Sequence, residues 1–208
     1  MKSHHVYVAL ALTLMAAVTA AVADTRLNAN QIAAGLQGVS DTRLAITAEQ
    51  LRQAAVQNIQ NYPGNLPPPG HLLVIPQLDK LAQFTVEVNF DFDSAAIKPE
   101  SYRDVGAIAD ALHNPILLGY GILIIGHTDA VGSRTYNLGL SQRRADAIRA
   151  ALIDPFGVNP AVLEAVGVGK EQLQDRKNPT AAINRRVQLV NVGKRFCFGR
   201  SGEQFQCP

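Results

Sequence analysis

The chain has 208 residues, 17 % of them charged, with nineteen Lys and Arg against seventeen Asp and Glu, a formal net charge of +2. So even a balance gives no electrostatic footprint for nucleic acid. Two cysteines are too few for a disulfide-built scaffold or a zinc cluster.

The first 23 residues read as a secretory signal: Lys2 supplies a basic start, residues 6–18 are almost wholly apolar, and Ala21-Val22-Ala23 is a small-residue cleavage site. The mature protein is expected to start at Asp24 or Thr25, with eighteen basic against seventeen acidic residues, a net charge of +1. No later segment reaches the run of about 18 apolar residues that a spanning helix needs, and the few strand-like runs fall short of a transmembrane barrel. No transmembrane segment is expected in the mature chain.

Residues 24–61 read as a helical segment. Asn28 begins one helix, and Thr47-Ala48-Glu49-Gln50 is a capping-box sequence before a second, carrying Leu51, Ala54, Ala55 and Ile59. The pattern suits a helical collar or spacer, or else a surface for an envelope partner. Residues 62–79 read as a linker, because residues 62–70 hold four of the eleven prolines.

A main domain is expected over residues 80–193. Residues 83–90 alternate, with Phe84, Val86, Val88 and Phe90 on one side, as a half-buried strand does. After Asp91-Phe92-Asp93-Ser94, Pro99 opens a helix running to about His113. Residues 121–126 form an apolar, β-branched strand ending in the turn His127-Thr128-Asp129. Residues 135–153 form a helix whose apolar stripe is Leu140, Ala147, Ile148, Ala151 and Leu152. That stripe centres on Arg144, and a guanidinium there must be paired. Asp129 is the nearest candidate: the two pair with each other, or they hold a zwitterion between them. Strands at 163–168 and 187–192 complete the order β-α-β-α-β-β. This predicts an α+β fold with two main helices on one face of a mixed four-stranded sheet. The tail, residues 194–208, holds both cysteines, Cys197 and Cys207, expected to form a disulfide in an exported chain.

Asn89-Phe90-Asp91-Phe92-Asp93-Ser94-Ala95, Gly126-His127-Thr128-Asp129, Tyr136-Asn137-Leu138, Leu140-Ser141-Gln142-Arg143-Arg144-Ala145 and Asn184-Arg185-Arg186-Val187 together resemble the OmpA-like peptidoglycan-binding domain family. This module is shared by outer-membrane protein A, the peptidoglycan-associated lipoprotein and the flagellar stator protein MotB. The resemblance implies a β-α-β-α-β-β sandwich that binds the diaminopimelate of the Gram-negative cell-wall stem peptide and links the envelope to the wall. It implies that Asp129 meets the ligand's ammonium and Arg144 its carboxylate. It further implies that Asp91, Asp93, Ser94, Thr128, Asn137, Leu138 and Arg185 line the groove, with Arg185 steadying the acidic loop. The expected location is the periplasm and cell envelope, with outer-membrane association. Neither the barrel nor the lipidated cysteine that anchors outer-membrane relatives is expected from this sequence. No cofactor or metal set is expected and no enzyme activity. The competing reading is a cell-wall hydrolase using His127 with Asp91 or Asp129, which lacks a nucleophile or a complete metal set.

Overall fold

The computed structural model describes residues 27–38, 46–69, 75–91, 93–198 and 204–206. The expected signal sequence and Cys207 lie outside these residues. The described residues form five α-helices and six strands, besides four short 3-10 turns: α1 (Ala29–Leu36), α2 (Ala48–Asn61), α3 (Ile75–Leu78), β1 (Gln83–Val86), α4 (Tyr102–Leu112), β2 (Tyr120–His127), α5 (Arg134–Ile153), β3 (Leu163–Gly169), β4 (Val187–Lys194), β5 (Phe196–Phe198) and β6 (Gln204–Gln206). The fold is α+β, and its central sheet is mixed. Its order is β1-β4-β2-β3, with β4 antiparallel to β1 and to β2, and β2 parallel to β3.

Alternating side chains of the strands feed two separate cores. Ile122, Ile124, Val187 and Leu189 point to one face and meet α1, α4 and α5 through Leu36, Ile108 and Ile148. Leu123, Ile125, Val166, Val168 and Val190 point to the other and meet Leu51, Ala55, Leu78 and Leu81. Side chains one residue apart on a strand face opposite ways, so a run of four aliphatics such as residues 122–125 requires both faces to be covered. The two main helices share one face, as expected. The segment read as a collar or spacer does more: α1 joins the first core and α2 closes the second. Both helices carry the caps visible in the sequence. Asn28 Oδ1 accepts from Asn30 N at 2.8 Å, and the Thr47–Gln50 capping box is closed in both directions.

The stretch read as a linker is also tied down at both ends. Pro67 O accepts from Arg176 Nη2 at 2.6 Å, and Leu78 is buried in the second core. β1 ends at Val86, four residues before the alternation stops. Beyond it the chain folds back on itself: Lys98 N donates to Asn89 O at 3.0 Å and Phe90 bridges Ile97. The alternation persists because Val86 and Val88 still enter the core although Val88 is outside the sheet. The tail pairs β5 with β6, setting Cys197 opposite Phe205.

Two glycines let α5 press on the sheet. A Cβ at Gly126 would strike the Ser141 carbonyl, and one at Gly167 would strike the backbone of Ser141 and Gln142. The close approach is fixed by polar bonds: Gly167 N donates to Gln142 Oε1 at 2.8 Å and Gly169 N to Ser141 Oγ at 2.8 Å. This sets the first half of α5 over the carboxyl ends of β2 and β3, where α/β sheets place ligand sites.

Candidate functional site: a charged groove above the strand ends

A groove of about 600 Å³ opens between the residue 90–98 turn, the β2–α5 loop and the first half of α5. Asp91, Asp93, Thr128, Asp129, Asn137, Arg144 and Arg185, all singled out in the sequence, line it. Lys98, Val131, Gly132 and Tyr136 line it as well, without having been expected to.

Asp129 is held from two sides. Its Oδ1 accepts from Val131 N at 3.1 Å, an Asx-type turn, and its Oδ2 accepts from Arg185 Nη1 at 2.9 Å. The carboxylate is 15 % exposed and the Arg185 side chain 47 %. Asp129 is therefore paired with Arg185 and not with Arg144, whereas Arg185 had been expected to steady the acidic loop at residues 91–94. A carboxylate offers about four acceptor sites, so two remain open toward the groove.

Arg144 is half-buried and held along one edge only. Its Nε donates to Ser94 O at 3.0 Å, and its guanidinium carbon sits 4.8 Å from the centroid of the Phe90 ring. Among the described residues no carboxylate lies within ion-pairing distance of it. Burial lowers its pKa below the ordinary arginine value, and Asp129 and Asp93 partly offset this while Arg185 and Arg143 add to it. Arginine stays protonated regardless. The cation on the apolar stripe is thus stabilised by an aromatic face and one carbonyl, with its terminal amino groups left to the groove.

Ser94 contributes its backbone: the carbonyl orients Arg144, while its Oγ accepts from Ala96 N at 2.9 Å and closes the turn. Asp93 occupies the left-handed region, φ 53°, which Asp tolerates better than most residues. Asn137 donates Nδ2 to Val131 O at 2.7 Å and so braces the loop from α5. Leu138 lies elsewhere. It packs against the second core, because one step along a helix turns a side chain by about 100° away from its neighbour. No signal short of the fold would have separated Leu138 from Asn137.

His127 is 2 % exposed and does not line the groove. Its Nε2 and Gln188 Oε1 are hydrogen-bonded at 3.1 Å. Burial, and then the Arg186 charge, push its pKa well below 6.5, against bonds to Gln188 and the Gln172 backbone. Arg186 is itself brought down to about 10 by burial. The ring is a neutral brace under the turn. Since the unfolded chain protonates His127 near pH 6.5 and the folded one does not, the unfolded state binds more protons below that pH. Stability should therefore fall as pH drops below about 6.5, by up to about 1.4 kcal/mol per pH unit from this residue. Urea unfolding of the parent and of His127→Gln between pH 7.5 and 5.5 checks this; parallel curves for the two proteins would remove the claim.

Comparison with known proteins follows the same segment. The OmpA family model matches residues 89–186. Porin F of Pseudomonas aeruginosa is 38 % identical over 116 residues, 54 % of this chain and 32 % of the porin. The peptidoglycan-associated lipoprotein of the same organism is 39 % identical over 102 residues, 48 % of this chain and 58 % of the lipoprotein. The chain thus spans about a third of one relative and under three-fifths of the other. The crystal structure of the peptidoglycan-associated lipoprotein from Burkholderia pseudomallei is 39 % identical, with a TM-score of 0.42 over 50 % of this chain and 87 % of that one. The matched segment carries every charged residue of the groove, and residues 89–186 form an OmpA family domain within the chain.

Proposed function

We propose that this protein binds cell-wall peptidoglycan without covalent chemistry, gripping the diaminopimelate of the stem peptide and so linking the envelope to the wall. The observation that carries this reading is the Arg144 guanidinium, fixed on one edge and open on the other, facing a carboxylate across one groove. A free amino-acid end bears an ammonium and a carboxylate on one carbon. Arg144 offers its planar fork to the carboxylate, where two parallel bonds form. Asp129, locked by Val131 N and Arg185, offers its open acceptor sites to the ammonium. Both charges are pre-set by the fold, so little ordering entropy is lost on binding.

The reading places the protein in the periplasm of a Gram-negative envelope, in keeping with the names of its relatives. Among the described residues no helix is long and apolar enough to cross a membrane. A hydrolase built on His127 is disfavoured by the burial of that ring away from the groove.

Asp129→Asn tests the assignment. The amide keeps size and the Val131 bond but not the attraction to an ammonium. Binding of diaminopimelate should weaken by at least about tenfold, roughly 1.4 kcal/mol. The remaining affinity should no longer distinguish diaminopimelate from an analogue lacking the distal amine. The cost to folding should be small, because the stranded partner is the half-exposed Arg185. If the parent itself binds both ligands equally, Asp129 does not read the ammonium.

A further inference from the structure

Four side chains that the proposed grip does not use form a buried chain from α2 to the groove wall. Glu171 follows β3 and Arg134 opens α5, and their side chains are 1 % and 3 % exposed. Arg134 Nε donates to Glu171 Oε1 at 2.7 Å, and its Nη2 donates to Oε2. The end of α2 supplies the rest of the shell: Asn58 Nδ2 donates to Glu171 Oε2, and Arg134 Nη1 donates to the Tyr62 carbonyl. Lys170, adjacent to Glu171 and only 1 % exposed, donates Nζ to Ala130 O at 2.8 Å and to Gly132 O at 2.6 Å. Those carbonyls flank Val131, and Val131 and Gly132 line the groove. Gly132 sits at φ 86°, so this wall is a conformation that must be held.

Residues 48–62 lie outside the segment that matches the family, 89–186. We propose that α2 is nevertheless a positioning element of the wall-binding site, and that the grip on a stem peptide depends on α2 being docked. The buried ion pair is satisfied only with α2 in place. When α2 leaves, Glu171 and Arg134 each lose a bond and must take up water. That water enters beside Lys170 and the first turn of α5, and the 130–132 wall loses its fixed shape. A partner that draws α2 away from the sheet therefore loosens the groove. Linkage is reciprocal, so a ligand in the groove must also tighten α2.

This inference rests on the reading that the groove receives a stem peptide, and hydrogen exchange on the full chain separates the two. The probe is a soluble muropeptide with a diaminopimelate-containing tripeptide stem. Its addition should slow exchange at amides 128–137 and also at amides 55–62. Asn58→Leu, which removes one donor at similar volume, should bind the muropeptide about five- to twentyfold more weakly, in the lower part of the range for coupled sites. Gln53→Ala, whose partner is the surface Glu49, should bind like the parent. Protection at 128–137 without protection at 55–62 overturns the role of α2 and leaves the wall-binding reading standing. No protection at 128–137 overturns both. Should Asn58→Leu fail to fold, exchange in the parent protein alone decides.

Discussion

Arg144→Ala is expected to lower affinity for peptidoglycan by about 30- to 1000-fold, or roughly 2–4 kcal/mol, while the protein stays folded. The loss is large because the guanidinium is held by Ser94 O and the Phe90 ring in one orientation, so its fork meets a carboxylate without further ordering. The folding cost is one hydrogen bond and one cation–π contact, about 1–2 kcal/mol together. No described carboxylate is left stranded by the change, since Asp129 is already paired with Arg185. Arg144→Lys should fall between parent and alanine variant, keeping the charge without the two parallel bonds. Sedimentation with insoluble peptidoglycan, beside a thermal melt, makes the comparison. Parent-like binding by the alanine variant rules out Arg144 as the carboxylate reader; an unfolded variant shifts its role to the core.

The largest effect on stability is expected at Glu171. Glu171→Gln removes the charge that balances Arg134 in a site closed to water, and breaking such a pair from one side costs about 3–5 kcal/mol. A marginally stable domain has only about 5–15 kcal/mol in all, so the variant should unfold at much lower urea. The double change Arg134→Met with Glu171→Leu should recover most of the loss, because two apolar side chains need no counter-charge. A midpoint for Glu171→Gln equal to that of the parent means that water reaches the pair. The double variant also bears on the groove. It keeps α5 but severs the path from α2 to the 130–132 wall, so restored stability should come without fully restored binding.

Sequence and structure part company at identifiable places. The order and type of the main-domain elements were legible because each depends on a local period, such as the alternation in residues 83–90 and the 3.6-residue stripe of α5. The main charged residues of the site were legible too, for they stand in short motifs at the ends of those elements. The partner of Arg144 was not. From the stripe alone, Asp129 was the nearest acid; in the fold Arg185, 56 residues further on, takes it. An ion pair between strand ends depends on which strands become neighbours, and sequence distance carries no record of that. Leu138 failed for a different reason, the 100° turn from one helical residue to the next, which sends it to the other core beside Asn137.

The amino-acid sequence by itself determined the α+β class, the helix caps, and most of the charged residues that line the groove. Only the tertiary structure decided which charges meet. It turned α1 and α2 from an appendage into parts of the layers on either side of the sheet, α1 beside α4 and α5 and α2 on the opposite face, since a four-residue aliphatic run in β2 must be covered on two sides. It also made a buried relay of Asn58, Arg134, Lys170 and Glu171. In the chain these are scattered polar residues with no period. Their meaning comes from burial, and burial is a property of the packed molecule rather than of any local stretch.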